Sequence, residues 1–208
     1  MDHLIETLTA AGVHDERVLE AFRATPREEF VRPDDRHRAE QDVPLPIPRD
    51  QVTTQPSLIA SMVEALTLRG TESVLEVGTG YGYQAALLAR LARNVWSVER
   101  WPDLARQARA NLVRCGVENV QVSVSDGTTG LPQQAPFDAI IVAAAFPRVP
   151  QPLISQLIEG ARLIQPIGPG GREEVVLYAA EGGRLRRLAV VTGAHFVRLV
   201  GQHAFAGR

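Results

Sequence analysis

Apolar residues fall at helical spacing on two short stretches, Leu4, Ile5 and Leu8, then Val18, Leu19 and Phe22, with Gly12 between them and Asp15 placed to cap the second. Two small helices are predicted. Between Pro26 and Pro56 the pattern breaks down: six prolines and a cluster of charges from Arg32 to Asp42 make regular structure hard to sustain. A loop of that length is expected to bind or cover something, and Val43, Leu45 and Ile47 favour a packed loop. Pro56 suits the first position of a helix with Leu58, Ile59, Met62, Val63 and Leu66 on one face.

After Gly70 strands and helices alternate. Val74, Leu75 and Val77, then Val95 to Val98, Val120 to Val124 and Phe137 to Ala143 read as strands, with helices over Ala85 to Ala92, Pro102 to Arg114 and Pro150 to Ile158. Ala161 to Ile167 reads as a further strand. Beyond Gly168 the helices stop, and Val175 to Tyr178, Leu185 to Val191 and Phe196 to Val200 are strand-like, with turns at Gly182-Gly183 and Gly193. The pattern predicts an α/β fold, a doubly wound and mostly parallel sheet with an antiparallel edge.

With 208 residues and 45% hydrophobic composition, one core and one domain over 1–208 are expected, residues 1–56 forming the helices and covering segment and 57–208 the ligand-binding core. Lys plus Arg number 22 against 24 Asp plus Glu, so the net charge of -2 gives no footprint for nucleic acid. Cys115 is the one cysteine, which excludes an internal disulfide and suits a reducing compartment. Neither a basic, apolar leader nor a run of about 18 apolar residues is present, so a cytoplasmic protein with no membrane partner is expected. The five histidines show no metal-ligand spacing, and no metal is assigned.

Candidate chemistry centres on Val74-Leu75-Glu76-Val77-Gly78-Thr79-Gly80-Tyr81-Gly82-Tyr83-Gln84, which follows a strand and opens a helix. Glycine lets such a turn be tight and lets backbone approach a ligand, although ordinary strand-to-helix turns use it too. Glu99 ends the second strand about 20 residues on, where a carboxylate can accept both ribose hydroxyl protons of an adenosine, or be a solvated strand end. Asp126-Gly127 follows the third strand, where it can meet an adenine amino group or make a simple turn. All three lie at carboxyl ends of successive strands, where open α/β sheets bind ligands. The spacing is G-x-G-x-G, not the dinucleotide G-x-G-x-x-G. Glu76 is unhelpful beside a pyrophosphate and welcome beside an amino-acid ammonium, which favours S-adenosylmethionine; a pairing with an arginine is the plainer reading.

Together these residues resemble the protein-L-isoaspartate O-methyltransferases. Pro26-Arg27-Glu28-Glu29-Phe30-Val31, Pro44-Leu45-Pro46-Ile47, Gln51-Val52-Thr53-Thr54-Gln55-Pro56, the loop with Gly82-Tyr83-Gln84, Val95 to Arg100, Asp126-Gly127, Ala135 to Val142 and Phe196-Val197-Arg198-Leu199 follow the family's segments in order. The resemblance implies a Rossmann-like class I methyltransferase fold and methyl transfer from S-adenosylmethionine to the free carboxylate of an isoaspartyl residue in a damaged protein or peptide. It assigns a catalytic hydroxyl to the position of Thr54, where Ser is usual; Thr keeps the donor and adds a methyl that restricts its rotamer, and capping the following helix is its alternative role. Pro48-Arg49-Asp50 departs from the family's Gly-Gln-Gly-like run, and Arg36-His37-Arg38-Ala39-Glu40 replaces an acidic stretch with tyrosine.

The acceptor carboxylate is ionised at neutral pH, so positioning is expected to dominate over base catalysis. Gly78, Thr79, Gly80 and Gly82 would fix the cofactor, with Val52, Thr53 and Thr54 holding the acceptor. A monomer is expected. Three alternatives stay open: an acceptor that is an Asp of a dedicated peptide or a small molecule, a nicotinamide-dependent oxidoreductase, and a non-catalytic binding protein on the same fold. Trp101 either stacks on adenine or packs under its helix.

Overall fold

A computed structural model describes residues 2–169 and 171–206. The opening helices form as the spacing predicts, α1 over Asp2–Ala10 and α2 over Glu16–Arg23. Asp15 caps α2, its carboxylate accepting the Arg17 N–H at 2.9 Å, a contact of about 1 kcal/mol.

The proline-rich stretch holds more regular structure than its composition suggests. Two 3-10 turns cover Arg27–Phe30 and Pro33–Arg38, and a hairpin pairs β1 (Leu45–Ile47) with β2 (Gln51–Thr53). Proline is compatible here because Pro33 opens a turn and Pro46 sits on a short strand of a two-stranded sheet. The hairpin turns through Arg49 and Asp50 at φ 68° and 55°, a left-handed conformation more often given to glycine or asparagine. Arg49 is held there by an ion pair to Asp103 at 3.1 Å and by lying 5.1 Å from the Trp101 ring.

Helix α3 (Pro56–Leu66) opens at Pro56 and presents its apolar face to the sheet. There follow β3 (Ser73–Val77), α4 (Tyr83–Ala89), β4 (Asn94–Glu99), α5 (Pro102–Arg114), β5 (Val120–Val124), a 3-10 turn at Gly127–Thr129 and β6 (Phe137–Val142). The chain then forms α6 (Gln151–Ile154), β7 (Leu157–Ile167), β8 (Glu173–Glu181) and β9 (Arg184–Ala194). The sheet order is β5-β4-β3-β6-β7-β8-β9, with parallel pairs from β5 to β7 and antiparallel pairs from β7 to β9. The doubly wound sheet with a reversed edge is therefore the observed fold.

Several boundaries differ from the pattern: α4 starts and ends earlier than expected, β7 starts four residues earlier, Gly193, expected at a turn, lies within β9, and two segments change more deeply. The helix expected over Pro150 to Ile158 ends at Ile154, because the Gln156 side chain turns back to accept the Leu131 N–H at 2.8 Å and donate to Thr129 and Pro152 carbonyls. Leu157 is thereby delivered to the sheet opposite Phe137. Phe196 to Val200 is not a sheet strand; it meets the molecule through isolated bridges, Arg198 with Ala145 and Val200 with Phe205.

One apolar cluster joins α1, α2, α3 and α4 to one face of the sheet, with Leu4, Phe22, Met62 and Leu87 among its buried members. A second, with Leu75, Phe137, Leu153 and Leu199, fills the other face. Strand order reverses beside β3, whose neighbours are β4 and β6, and this is where a crevice opens at the carboxyl ends of the strands.

Candidate active site

The glycine-rich loop leaves β3 at Val77 and enters α4 at Tyr83. Gly78 donates its N–H to the Val98 carbonyl at 2.9 Å, the last rung to β4, and takes φ 99°, where the chain leaves the strand. Gly82 is the N-cap of α4 at φ 92°, and a Cβ there would press on Ala108 of α5 at 3.4 Å. The loop is thus both strained for other residues and packed against a helix. Asn111 fastens its crest by donating to the Tyr81 carbonyl at 3.0 Å.

Around this loop lies a cleft of about 380 Å³. Val52, Thr53 and Thr54 form one wall and Gly78, Thr79 and Gly80 the floor, while Glu99, Arg100 and Trp101 stand at the end of β4 and Gly127 at the end of β5. Its volume falls within the range of small-molecule sites. Most of the candidate residues picked from sequence therefore meet at one place.

Glu99 accepts the Gly80 N–H on one oxygen at 2.9 Å and the Trp101 N–H on the other at 3.0 Å. Each oxygen keeps a lone pair, so two further donors such as ribose hydroxyls can be received. Burial raises its carboxyl above the ordinary range, and the backbone donors and Arg100 oppose that rise.

Glu76 is placed differently from the ligand-facing position its spacing implied. It is fully buried behind the loop, does not line the cleft, and accepts from Gln84 Nε2 at 3.0 Å and from the Ser97 hydroxyl. Ser97 in turn shares a hydrogen bond with the hydroxyl of Thr79, which does line the cleft. Burial pushes the Glu76 carboxyl up to about 8, against the lowering effect of Ser97 and Gln84.

Asp126 also stands back from the cleft. One oxygen accepts from Thr128 N–H at 2.9 Å and the Thr128 hydroxyl at 2.7 Å, and the other accepts the Gln202 N–H at 2.7 Å. Burial alone would raise its carboxyl, but these donors outweigh it and hold the value below the usual range. Its neighbour Gly127 faces the cleft, and a Cβ there would lie 2.5 Å from Val77 Cγ1, so only glycine fits without displacing the strand.

Thr54 is half-buried on the cleft wall. It does not cap α3: Gln55 is the N-cap, without a side-chain cap bond, and Asp42 from the covering segment accepts the Ser57 N–H at 2.8 Å. Among the described residues the Thr54 hydroxyl has no hydrogen-bond partner, whereas the Thr53 hydroxyl is engaged by Arg27 at 3.0 Å. Two guanidinium groups lie near the Trp101 ring, Arg49 at 5.1 Å and Arg100 at 4.8 Å, and Trp101 lines the cleft.

Sequence reasoning gave no role to Val197, Arg198, Leu199, Val200 and Phe205, which also line the cleft. Their segment docks through the Phe146 and Phe205 rings, edge to face at 4.9 Å, and through Asp126. The Phe196 to Leu199 match was visible; its meeting with residues more than a hundred positions away was not. Arg27 was visible only as part of a motif, and its burial is a tertiary fact.

Comparison with known proteins matches residues 1–204 to the family protein-L-isoaspartate(D-aspartate) O-methyltransferase. A Methanoculleus marisnigri protein-L-isoaspartate O-methyltransferase is 48% identical over 200 residues, covering 96% of this chain and 90% of the relative. The chain belongs to this family. The Syntrophobacter fumaroxidans protein-L-isoaspartate O-methyltransferase 1 is 47% identical over 209 residues, covering 99% and 96%. A solved protein-L-isoaspartate O-methyltransferase superposes with TM-score 0.84 at 30% identity, over 98% of this chain and 67% of that one. A Plasmodium falciparum structure with S-adenosyl-L-homocysteine bound has TM-score 0.78 at 22% identity and supports the fold.

The enzyme is an S-adenosylmethionine-dependent methyltransferase acting on L-isoaspartyl residues in proteins. The nicotinamide oxidoreductase and the non-catalytic binding protein are set aside by this membership. The cleft's own chemistry is compatible with the cofactor: Glu99 keeps acceptor capacity for two further hydroxyl donors. No helix among the described residues is long and apolar enough to cross a membrane.

Proposed function

We propose that Thr54 is the residue that orients the acceptor carboxylate, with Val52 and Thr53 shaping its subsite, and that Gly78, Thr79, Gly80, Glu99 and Gly127 hold the cofactor. Gly82, Glu76 and Asp126 support these residues from behind. What carries this reading is the unpartnered Thr54 hydroxyl on the wall of the cleft whose floor is the glycine loop.

S-adenosylmethionine supplies an electrophilic methyl group carried on a sulfonium. The chain's task is to align and to desolvate. An acceptor carboxylate is ionised at neutral pH, so no side chain has to remove a proton. The Thr54 hydroxyl donates to one acceptor oxygen and leaves the other to react, while Val52 and the 197–205 wall reduce access of water. Glu99 anchors the ribose end of the cleft and the turn at Gly127 its adenine end. We further propose that residues 1–56 and 57–208 act as one unit, and that the enzyme works as a monomer in the cytoplasm.

The test is a methylation assay on an isoaspartyl peptide with Thr54→Ala and Thr54→Ser. A lost hydrogen bond to a charged acceptor corresponds to roughly 10- to 100-fold in kcat/KM, so Thr54→Ala should fall by that much. Thr54→Ser should stay near the parent, and cofactor affinity should be unchanged in both. Full activity of Thr54→Ala would reject the assignment.

A further inference from the structure

We propose that Arg27 is a positioning residue for methyl transfer, a side chain that sets the direction of the Thr53-Thr54 peptide against the cleft. The proposal rests on the acceptor site described above. Arg27 opens the first 3-10 turn and is 2% exposed. Its Nη1 donates to the Ala39 carbonyl at 3.2 Å and the Gln41 carbonyl at 3.0 Å. Its Nη2 donates to Val43 at 2.9 Å, to the Thr53 hydroxyl at 3.0 Å and carbonyl at 3.5 Å, and to the Thr54 carbonyl at 3.1 Å. One planar group thus gathers the 3-10 turn, the loop before β1, and the end of β2.

Three features separate this arrangement from ordinary packing. No carboxylate lies within hydrogen-bonding distance of the guanidinium among the described residues, and Nε is buried without a partner. Burial of an unpaired charge is unfavourable, and an apolar side chain would fill the same space with less desolvation. Burial draws its pKa down to about 10, so it remains a cation at neutral pH. What the cation adds is direction: a rigid fork fixes where carbonyls point, which a lysine's single ammonium or a methionine cannot reproduce.

The second feature is where the fork points. By taking the Thr53 hydroxyl and both carbonyls, Arg27 occupies every polar group of the Thr53-Thr54 pair that it can reach and leaves the Thr54 hydroxyl to the cleft. The third is the other neighbour. Its Cζ lies 5.8 Å from the ring of Tyr83, the first residue of α4 and itself part of the cleft lining. Arg27 therefore spans the acceptor wall and the helix that follows the cofactor loop, and fixes their separation.

The variants are Arg27→Lys, which keeps charge, and Arg27→Met, which keeps volume. Turnover of an isoaspartyl peptide, S-adenosylhomocysteine affinity by calorimetry, and melting temperature are measured on each. Misplacement of the acceptor by about an ångström is worth about 100-fold, so kcat should fall by that order in both variants, with S-adenosylhomocysteine affinity and the peptide KM changing far less. Arg27→Lys carries the test if Arg27→Met does not fold. Wild-type kcat in folded Arg27→Lys, or parallel loss of kcat and cofactor affinity, would overturn the proposal. Thr54→Ala separates the two readings. A silent Thr54→Ala beside a slow Arg27→Lys would sink the hydroxyl assignment and leave Arg27 as the organiser of the segment; Thr54→Ala slow with Arg27→Lys normal would do the reverse.

Discussion

At the scale of single residues, the Glu76 carboxyl has the largest consequence for pH dependence. Its folded-state value near 8 lies above the ordinary 4.5, so the folded protein holds a proton that the unfolded chain releases as pH rises between them. Stability is accordingly greatest at the acid end of that window and declines through it, by on the order of a few kcal/mol. Glu76→Gln keeps the shape and removes the titration. Urea unfolding at both ends of the window should show the decline in the parent and a markedly flatter profile in the variant; equal slopes would mean that Glu76 is already ionised in the fold. Site residues were legible from sequence where a single position carries its own chemistry: Thr54, Glu99 and Gly127 all reach the cleft. Glu76 stands out for its charge and Gln84 for its place in the loop motif, yet nothing along the chain says that Gln84 and Ser97 are the donors that turn Glu76 inward. Its partners lie on β4 and α4, and only folding reveals them.

At the scale of elements, the alternation of strands and helices was readable because each strand of the parallel region is a short apolar run bounded by turn residues. What was not readable are contacts that end one element by means of another. Gln156, just past α6, ends that helix by reaching across to Leu131 and Thr129, and Asp42 caps α3 from the covering segment. Residues 196–200 have strand-like composition but join neither edge of the sheet, and their only ladder contacts among the described residues are isolated bridges. Instead Asp126 holds this segment through the Gln202 N–H, and Thr128 accepts from His203 N–H at 3.2 Å. Asp126→Ala removes the first of these and loosens the second by freeing the Thr128 hydroxyl. Amide hydrogen exchange at 200–205 should accelerate by about tenfold or more while β6 and β7 keep their protection, each lost bond to a charged group being worth ~1.5 kcal/mol or more. Unchanged exchange there would show that the Phe146 and Phe205 contact and the backbone bonds to Ala145 dock the segment without Asp126.

At the scale of the molecule, α1 and α2 share a core with α3, α4 and the sheet, so the opening helices are part of the main fold and not an appendage. Thermal unfolding followed by far-UV circular dichroism and by fluorescence of Trp96 and Trp101 should give coincident curves, and removal of residues 1–24 should abolish the transition. Two separated transitions would instead mark the opening segment as an independent unit. The cleft has a similar dependence on distant parts: its walls come from residues 51–54 and 197–206, and its floor from 77–80. A polypeptide still being synthesised passes through a long interval in which the nucleotide platform has emerged from the ribosome while the stretch from 197 onward has not yet been made. During that interval the cleft lacks one of its walls, and it is complete only once translation has carried past that stretch.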